Sequence, residues 1–376
     1  MDTRAFSTKS ERKTRINPSI PGIHLLGLDM GYSGIKCFYE NGNFVFPNFV
    51  KKLVGPIFGD LNKYDMIHEN IETGVKHFVG EKAVKGLDQD TPGSNAQFDR
   101  NHYLSDDFVI TFETALGMAF WDVQTNGNDI FIQTGLPPAY LTRDEMYIRK
   151  AMEGNHQFAL TIGSERKTFN ITLKSDQIDV MSQPMGTYYS VVINDEGKIT
   201  PNIKEYSGSR FMVFDGGFGT LDKFLIENNS LVDSETDANL GMRRVFDETR
   251  ELIQKELGVD VSIMAMQNVL KTGKVRATDY ITLDVVDYEI DTYLDKANEL
   301  VREEAFKSIR NQVPKLRYLI MTGGTGAAWY DYFKQRLQIP GLEVMLGNAN
   351  SNLPAIYANA RGYYMYRLNL LRQQRK

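Results

Sequence analysis

The sequence predicts an α/β protein built as two lobes of related construction, and two observations carry that expectation. Two short glycine turns, each opening on an aspartate, stand between strand-like runs. They are Leu28-Asp29-Met30-Gly31-Tyr32-Ser33-Gly34-Ile35-Lys36 and Phe214-Asp215-Gly216-Gly217-Phe218-Gly219-Thr220-Leu221-Asp222. Each is followed by a second tight connection, Asn41-Gly42 in one case and Glu227-Asn228-Asn229-Ser230 in the other. The order strand, Asp-Gly turn, strand, tight turn, strand therefore occurs twice, an internal repeat that implies two lobes. A turn tipped with Gly, Ser or Thr exposes backbone N–H groups with no side chain in the way, and can cradle phosphate oxygens. Two such turns facing each other would grip a polyphosphate from both sides, with an aspartate at each mouth for a hydrated magnesium ion. That arrangement suggests a nucleotide in a cleft between two halves.

Composition sets the frame. A chain of 376 residues with 42% hydrophobic and 24% charged residues has room for two domains with a proper core. No apolar run approaches the roughly 20 residues of a membrane helix, and Met1 to Ile20 has no apolar signal region. The single cysteine, Cys37, excludes an internal disulfide and a cysteine-rich zinc site, and fits a reducing cytoplasm. The five histidines show no paired metal spacing. The first twenty residues hold five Lys/Arg and two acids, and residues 361–376 hold five Lys/Arg and no acid. With a net charge of −5, the body between is acidic, which argues against a DNA-wrapping surface.

Along the chain, the first twenty residues lack apolar periodicity and read as flexible. Order starts near Ile23, and Asn41-Gly42 is a strong hairpin signal. From Pro47 to about residue 105 the chain reads as a loop-rich peripheral subdomain. Phe108 to Trp121 and Arg143 to Met152 have helical spacing, on either side of a short buried strand, Ile130 to Gln133, ended by Thr134-Gly135-Leu136-Pro137-Pro138. Strands are expected at Ile171 to Lys174 and Ile178 to Met181, then a helix with Pro184 in its first turn. Ala238 to Leu257 and Tyr288 to Gln312 are amphipathic. A third glycine turn, Thr322-Gly323-Gly324-Thr325-Gly326, follows the strand Tyr318 to Met321 and precedes a helix from Ala327 to Leu337. Glycines at a helix N-terminus favour a phosphate or a close-packed nucleoside. A final helix runs from Ala355 to about Leu371.

There is no GxxxxGK[ST] loop and no GxGxxG after the first strand, so neither common nucleotide motif accounts for these turns. The set of three resembles the actin-like ATPase superfamily, and within it the ParM/StbA-like bacterial actins, the filament-forming plasmid-segregation ATPases. The resemblance covers roughly residues 24–376. It rests on the spacing from Asp29 to Lys36, the ending Thr220-Leu221-Asp222, the stretch Asp179-Val180-Met181-Ser182-Gln183-Pro184, and Ala358-Asn359-Ala360-Arg361-Gly362-Tyr363-Tyr364. Departures are Gln183, where members often have a glutamate, and Phe218, which replaces a small or polar residue.

The resemblance implies an actin-like ATPase fold, two lobes of βββαβα construction around a nucleotide cleft. It divides the chain into a flexible basic extension (1–22), domain I (23–182 plus 355–376, peripheral subdomain about 47–105) and domain II (183–354, peripheral subdomain about 258–288). Asp29 would hold magnesium through its water shell, and Lys36 would meet β/γ-phosphate charge. Gly31, Tyr32 and Ser33 would donate from the first loop, and Gly216, Gly217, Phe218, Gly219 and Thr220 from the second. Asp215 would order the attacking water with help from Gln183, whose amide can hydrogen-bond on both sides. Gly241 and Gly323, Gly324, Thr325 and Gly326 would enclose the nucleoside. Lys36 as a plain strand-face lysine and Gln183 as a helix-start residue are the alternatives. The implied function is a cytoplasmic, polymerising ATPase that uses ATP (GTP remaining open) with Mg2+. It would contact itself and a DNA-bound adaptor of the ParR type, DNA only indirectly and no membrane. A sugar or acid kinase of the same superfamily is the alternative, although no catalytic aspartate motif outside the phosphate loops is found. A cytoskeletal actin homologue not tied to plasmids is another. A chaperone would need a peptide-binding domain after the closing helix.

Overall fold

The computed structural model describes residues 3–57, 59–85, 102–228, 230–279 and 281–375. Five strands and their crossovers recur twice, once in each lobe. In the first lobe β1 (Glu11–Thr14), β2 (His24–Met30), β3 (Gly34–Tyr39) and β4 (Gly42–Pro47) come first. They are followed by β5 (Val50–Lys52), β6 (Met66–Asn70), β7 (Lys76–Val79), α1 (Glu81–Lys85) and α2 (Asp106–Ala119). Next come β8 (Ile130–Leu136), α3 (Pro138–Met152), β9 (Gly154–Ile162), β10 (Glu165–Leu173), β11 (Ile178–Ser182) and α4 (Gln183–Val192).

After the short α5 (Ile203–Ser207), the second lobe opens with β12 (Arg210–Gly216), β13 (Leu221–Glu227) and β14 (Ser230–Asp237). It continues through α6 (Met242–Leu257), α7 (Met266–Thr272), β15 (Lys274–Thr278), β16 (Val285–Glu289), α8 (Asp291–Ile309) and β17 (Tyr318–Thr322). It closes with α9 (Gly323–Arg336) and β18 (Glu343–Leu346), and α10 (Ala358–Gln374) returns to the first lobe.

The main sheets have the orders β1-β4-β3-β2-β8-β11 and β14-β13-β12-β17-β18. Each contains an antiparallel meander of three strands joined to two parallel ones, with β1 added at the edge of the first sheet, so the repeat read from the turns is a repeat of whole sheets. The central strands β2 and β12 are buried along almost their full length, as strands covered on both faces must be.

Four expectations need correction. Residues 1–22, read as a flexible extension, instead include β1, which pairs with β4 at the sheet edge from Glu11↔Val45 to Thr14↔Gly42. The Asn17 amide fixes the same segment by donating to the Tyr39 carbonyl (2.5 Å) and the Gly42 carbonyl (3.2 Å). Backbone pairing at an edge leaves no apolar periodicity to read; residues 1 and 2 lie outside the described set. The loop-rich 47–105 stretch supplies β5, β6 and β7, which join β9 and β10 in a second sheet, order β10-β9-β6-β7-β5; residues 58 and 86–101 lie outside the described set. Strand β8 runs on through Gly135 rather than stopping at Gln133, because the missing side chain leaves space for the Tyr363 ring. And α3 starts at Pro138, which serves as the first helical residue instead of ending the strand as a loop.

The lobes meet where α4 crosses α10. A Cβ on Gly362 would run into the Gly186 carbonyl, so the two helices touch backbone to backbone. Beside this crossing the buried Arg361 guanidinium donates to the Ser190 and Ile193 carbonyls and to Asp195, which also pairs with Arg15. Among the described residues no helix is long and apolar enough to cross a membrane.

Candidate nucleotide cleft

The tight turns between β2 and β3 and between β12 and β13 bring both Asp-Gly hairpins to one cavity of about 840 Å³ between the lobes. They face each other closely. The Tyr32 ring of the first hairpin lies over Gly219 of the second, where a Cβ would stand 2.7 Å from Tyr32 Cδ2. Tyr32 is itself packed on His102, ring centroids 4.8 Å apart.

In the first hairpin Asp29 pairs in register with Lys36, and the ammonium sits 3.3 Å from Asp29 Oδ2. Lys36 folds back over the turn: a Cβ on Gly31 would stand 2.7 Å from its Nζ. In the second hairpin Asp215 pairs in register with Asp222, and both are buried. The Asn359 amide of α10 donates to Asp215 Oδ2 (2.7 Å), and the Thr187 hydroxyl of α4 donates to Asn359 Oδ1 (2.7 Å). Asp222 accepts from the Thr220 and Thr236 hydroxyls at 3.0 and 2.6 Å. Burial pushes Asp215 up to about 6, against the opposing hydrogen bond from Asn359, with the nearby Asp29 charge adding to the rise. Burial also pushes Asp222 up to about 7, with the Asp215 charge adding to it.

The third glycine turn completes the wall. Here α9 begins at Gly323, four residues before the expected start, so the glycines form the first helical turn itself. Gly323 adopts φ +75°, and a Cβ there would strike the Gly216 carbonyl and stand 2.7 Å from Asp215 Oδ1. The Thr325 hydroxyl donates to the Gly217 carbonyl (2.6 Å), tying the helix start to the second hairpin. Gly324 has nothing within 4 Å of where its Cβ would lie.

Most residues picked from the sequence line this cavity: Asp29, Gly31, Tyr32, Ser33 and Lys36 from one side, and Asp215, Gly217, Phe218, Gly219 and Thr220 from the other. Gln183 at the start of α4 and Gly323, Gly324 and Thr325 line it as well. The Phe218 ring packs on Phe246 at 5.3 Å, which leaves its backbone for the cavity. Gly216, Gly241 and Gly326 are not among the lining residues. Gly216 and Gly326 press together, a Cβ on the former standing 2.6 Å from the nitrogen of the latter. Gly241 caps α6 from behind the second hairpin, where a Cβ would strike the Phe218 carbonyl, and its neighbour Met242 reaches the cavity instead.

Sequence reasoning missed Asn359 as a site residue, and it missed Asn298 and Arg302 of α8, which also line the cavity. Asn359 stood inside a quoted stretch, but nothing local in the sequence points an α10 amide at a carboxylate 144 positions away.

The cleft fits a nucleoside polyphosphate with a divalent ion. Gly324 lines the cavity with open space where a side chain would stand, Lys36 supplies a cation, and Asp29 presents a buried carboxylate at the same wall.

The family model described as "Actin like proteins N terminal domain" matches residues 27–186. No curated protein matches the chain by sequence. Among solved structures, a non-polymerisable quadruple mutant of pCBH ParM is similar at 19% identity and TM-score 0.69, covering 93% of this chain and 99% of that one. A 15-stranded ParM filament from Clostridium botulinum is similar at 17% identity and TM-score 0.70, covering 92% and 98%. An archaeal actin homologue, Ta0583, in complex with ADP is similar at 16% identity and TM-score 0.57, covering 92% and 100%. The resemblance to ParM-like bacterial actins read from the turns is thereby borne out. Residues 27–186 match the actin-like N-terminal domain model, and the chain as a whole has the actin-like ATPase fold.

Proposed function

We propose that this chain is a polymerising ATPase, one that binds ATP with Mg2+ in the interlobe cleft, hydrolyses it, and couples the cycle to filament assembly and disassembly. The observation that carries this reading is the pair of opposed hairpins at one cavity, each with a buried aspartate at its mouth. ATP supplies the scissile phosphoanhydride and the metal neutralises charge on it; phosphoryl transfer to water then needs positioning more than covalent chemistry. Asp29 holds the hydrated ion, and Lys36 neutralises phosphate charge. The backbone at Gly324, open to the cavity at the start of α9, orients the phosphates. Asp215, raised towards neutral pH and steered by Asn359, accepts a hydrogen bond from the attacking water and takes up its proton. Gln183 orients the same water from the start of α4. Met242, Asn298 and Arg302 flank the nucleoside.

Self-association is the reading that a similar structure, a ParM filament, supports. Within that reading the chain acts in the cytoplasm and moves plasmid DNA through a DNA-bound adaptor of the ParR type, supported by the resemblance of its motifs to plasmid-segregation actins. The test is phosphate release measured alongside sedimentation and electron microscopy of the purified chain with ATP-Mg and with a slowly hydrolysed analogue. Filaments that persist with the analogue and shorten as phosphate appears are expected. A chain that hydrolyses ATP yet stays unassembled in both nucleotides is not a polymerising actin.

A further inference from the structure

The cavity has a wall that the proposed chemistry leaves unused. Upstream of β1 the chain leaves the edge of the first sheet and crosses the cleft, so that residues 4–11 line the same cavity as Asp29 and Asp215. Both lobes hold it there. On the first lobe, the Ser10 N–H donates to Glu81 Oε1 of α1 (2.5 Å). Thr8 lies on the first hairpin so closely that a Cβ on Gly34 would stand 2.8 Å from Thr8 Cγ2. On the second lobe, the Thr8 N–H reaches Gln267 Oε1 of α7 (3.4 Å). The helical turn Thr3–Phe6 packs on α7, and Phe6 is half-buried against the second lobe's core. Alongside, Glu81 of α1 and Lys271 of α7 form an ion pair between the lobes at 3.6 Å.

We propose that residues 3–10 are a strap across the cleft that slows the escape of bound nucleotide. This rests on the nucleotide reading of the cleft. The geometry fits a clasp rather than a plug. With the strap in place, the cavity keeps about 840 Å³, within the range of small-molecule sites. One end of the strap is fixed by the four paired residues of β1, so it swings open from a tethered base. The seam is lightly made. Its bond to the second lobe is long, and among the described residues Ser10 Oγ and Gln267 Nε2 have no protein hydrogen-bond partner. Opening that seam therefore forfeits little.

Release of mant-ADP, followed by stopped-flow chase, tests the strap in two opposite directions. The full-length Phe6→Ala/Gln267→Ala variant removes its anchors on the second lobe, and release is expected to be about tenfold faster, since such changes act mainly on off-rates. The full-length Lys9→Cys/Lys271→Cys variant ties strap to α7 through a short bismaleimide, next to the point where the Thr8 N–H reaches Gln267 of the same helix. Cross-linking is expected to slow release at least as much, relative to the same variant before reaction. The native Cys37 is buried and leaves the reagent to the introduced pair. The cross-linked arm stands even if the alanine variant misfolds. Release unchanged in both arms, or tighter nucleotide binding once the anchors are removed, overturns the strap. Equilibrium titration of the unmodified chain with mant-ATP separates the two readings: no binding there overturns the nucleotide cleft and the strap together, whereas binding with unaltered release overturns the strap alone.

Discussion

The two Asp-Gly hairpins are built alike and charged differently. Each places an aspartate seven residues before its register partner on the next strand, Asp29 against Lys36 and Asp215 against Asp222. In the first hairpin the partner is a cation; in the second it is another acid. The first hairpin thus sets a carboxylate beside an ammonium at the cavity wall, an arrangement suited to a hydrated metal ion and a phosphate together. Two buried carboxylates side by side resist ionisation, and Asp215 and Asp222 are pushed up to about 6 and about 7. A group that titrates near neutral pH can exchange a proton with water during turnover. On the proposed reading, one repeated motif serves as an electrostatic anchor in the first lobe and a proton acceptor in the second, and a single register position separates the two.

The sharpest way to break this comparison is to remove the acceptor. Asp215→Asn is expected to lower kcat for ATP hydrolysis by about 10³-fold while leaving the nucleotide Kd within a few-fold. A kcat unchanged in single-turnover phosphate release would assign the water to another group. Removing the cation should act on the other side of the comparison. Lys36→Met is expected to weaken ATP-Mg binding by about 10- to 100-fold, with a smaller effect on kcat, because a charge-assisted contact to phosphate is lost in ground and transition states alike. Isothermal titration checks it; unaltered affinity makes Lys36 a strand-face lysine.

The acid pair is tested through stability rather than turnover. Asp222 is raised from about 3.8 to about 7, so its favourable contribution is fully present below about pH 4 and is lost as pH rises to about 7. Asp222→Asn, whatever its fixed offset, should therefore gain on the order of 4 kcal/mol over the parent chain between those limits. Denaturant melts of both chains at several pH values measure the difference. A flat difference across the window means that Asp222 is ionised throughout.

How much of this was legible in the sequence depends on how local the cause is. The hairpins, their repeat and the start of α4 at Pro184 were readable, because a glycine turn or a proline in a first helical turn is written within a few residues. The edge strand β1 was hidden, since its pairing with β4 runs through backbone groups that every residue has. The continuation of β8 through Gly135 depends on Tyr363, and the aim of Asn359 at Asp215 on a helix near the other end of the chain. Gly241 looked like a cleft residue by its glycine, but it is small because the Phe218 carbonyl lies against it. The sequence thus marks where small residues are needed without saying which neighbour requires them.

The crossing of α4 and α10 has a mechanical consequence. Two helices in backbone contact at Gly186 and Gly362, with only the Tyr363 ring wedged beside Gly186, leave little side-chain packing to rearrange if the lobes tilt about this fulcrum. The work of closing such a lever is done at the far end of its arms, where Tyr32 meets Gly219 and Glu81 meets Lys271. A substitution at the fulcrum should jam the whole lever, whereas one at the tips should only change how firmly it shuts.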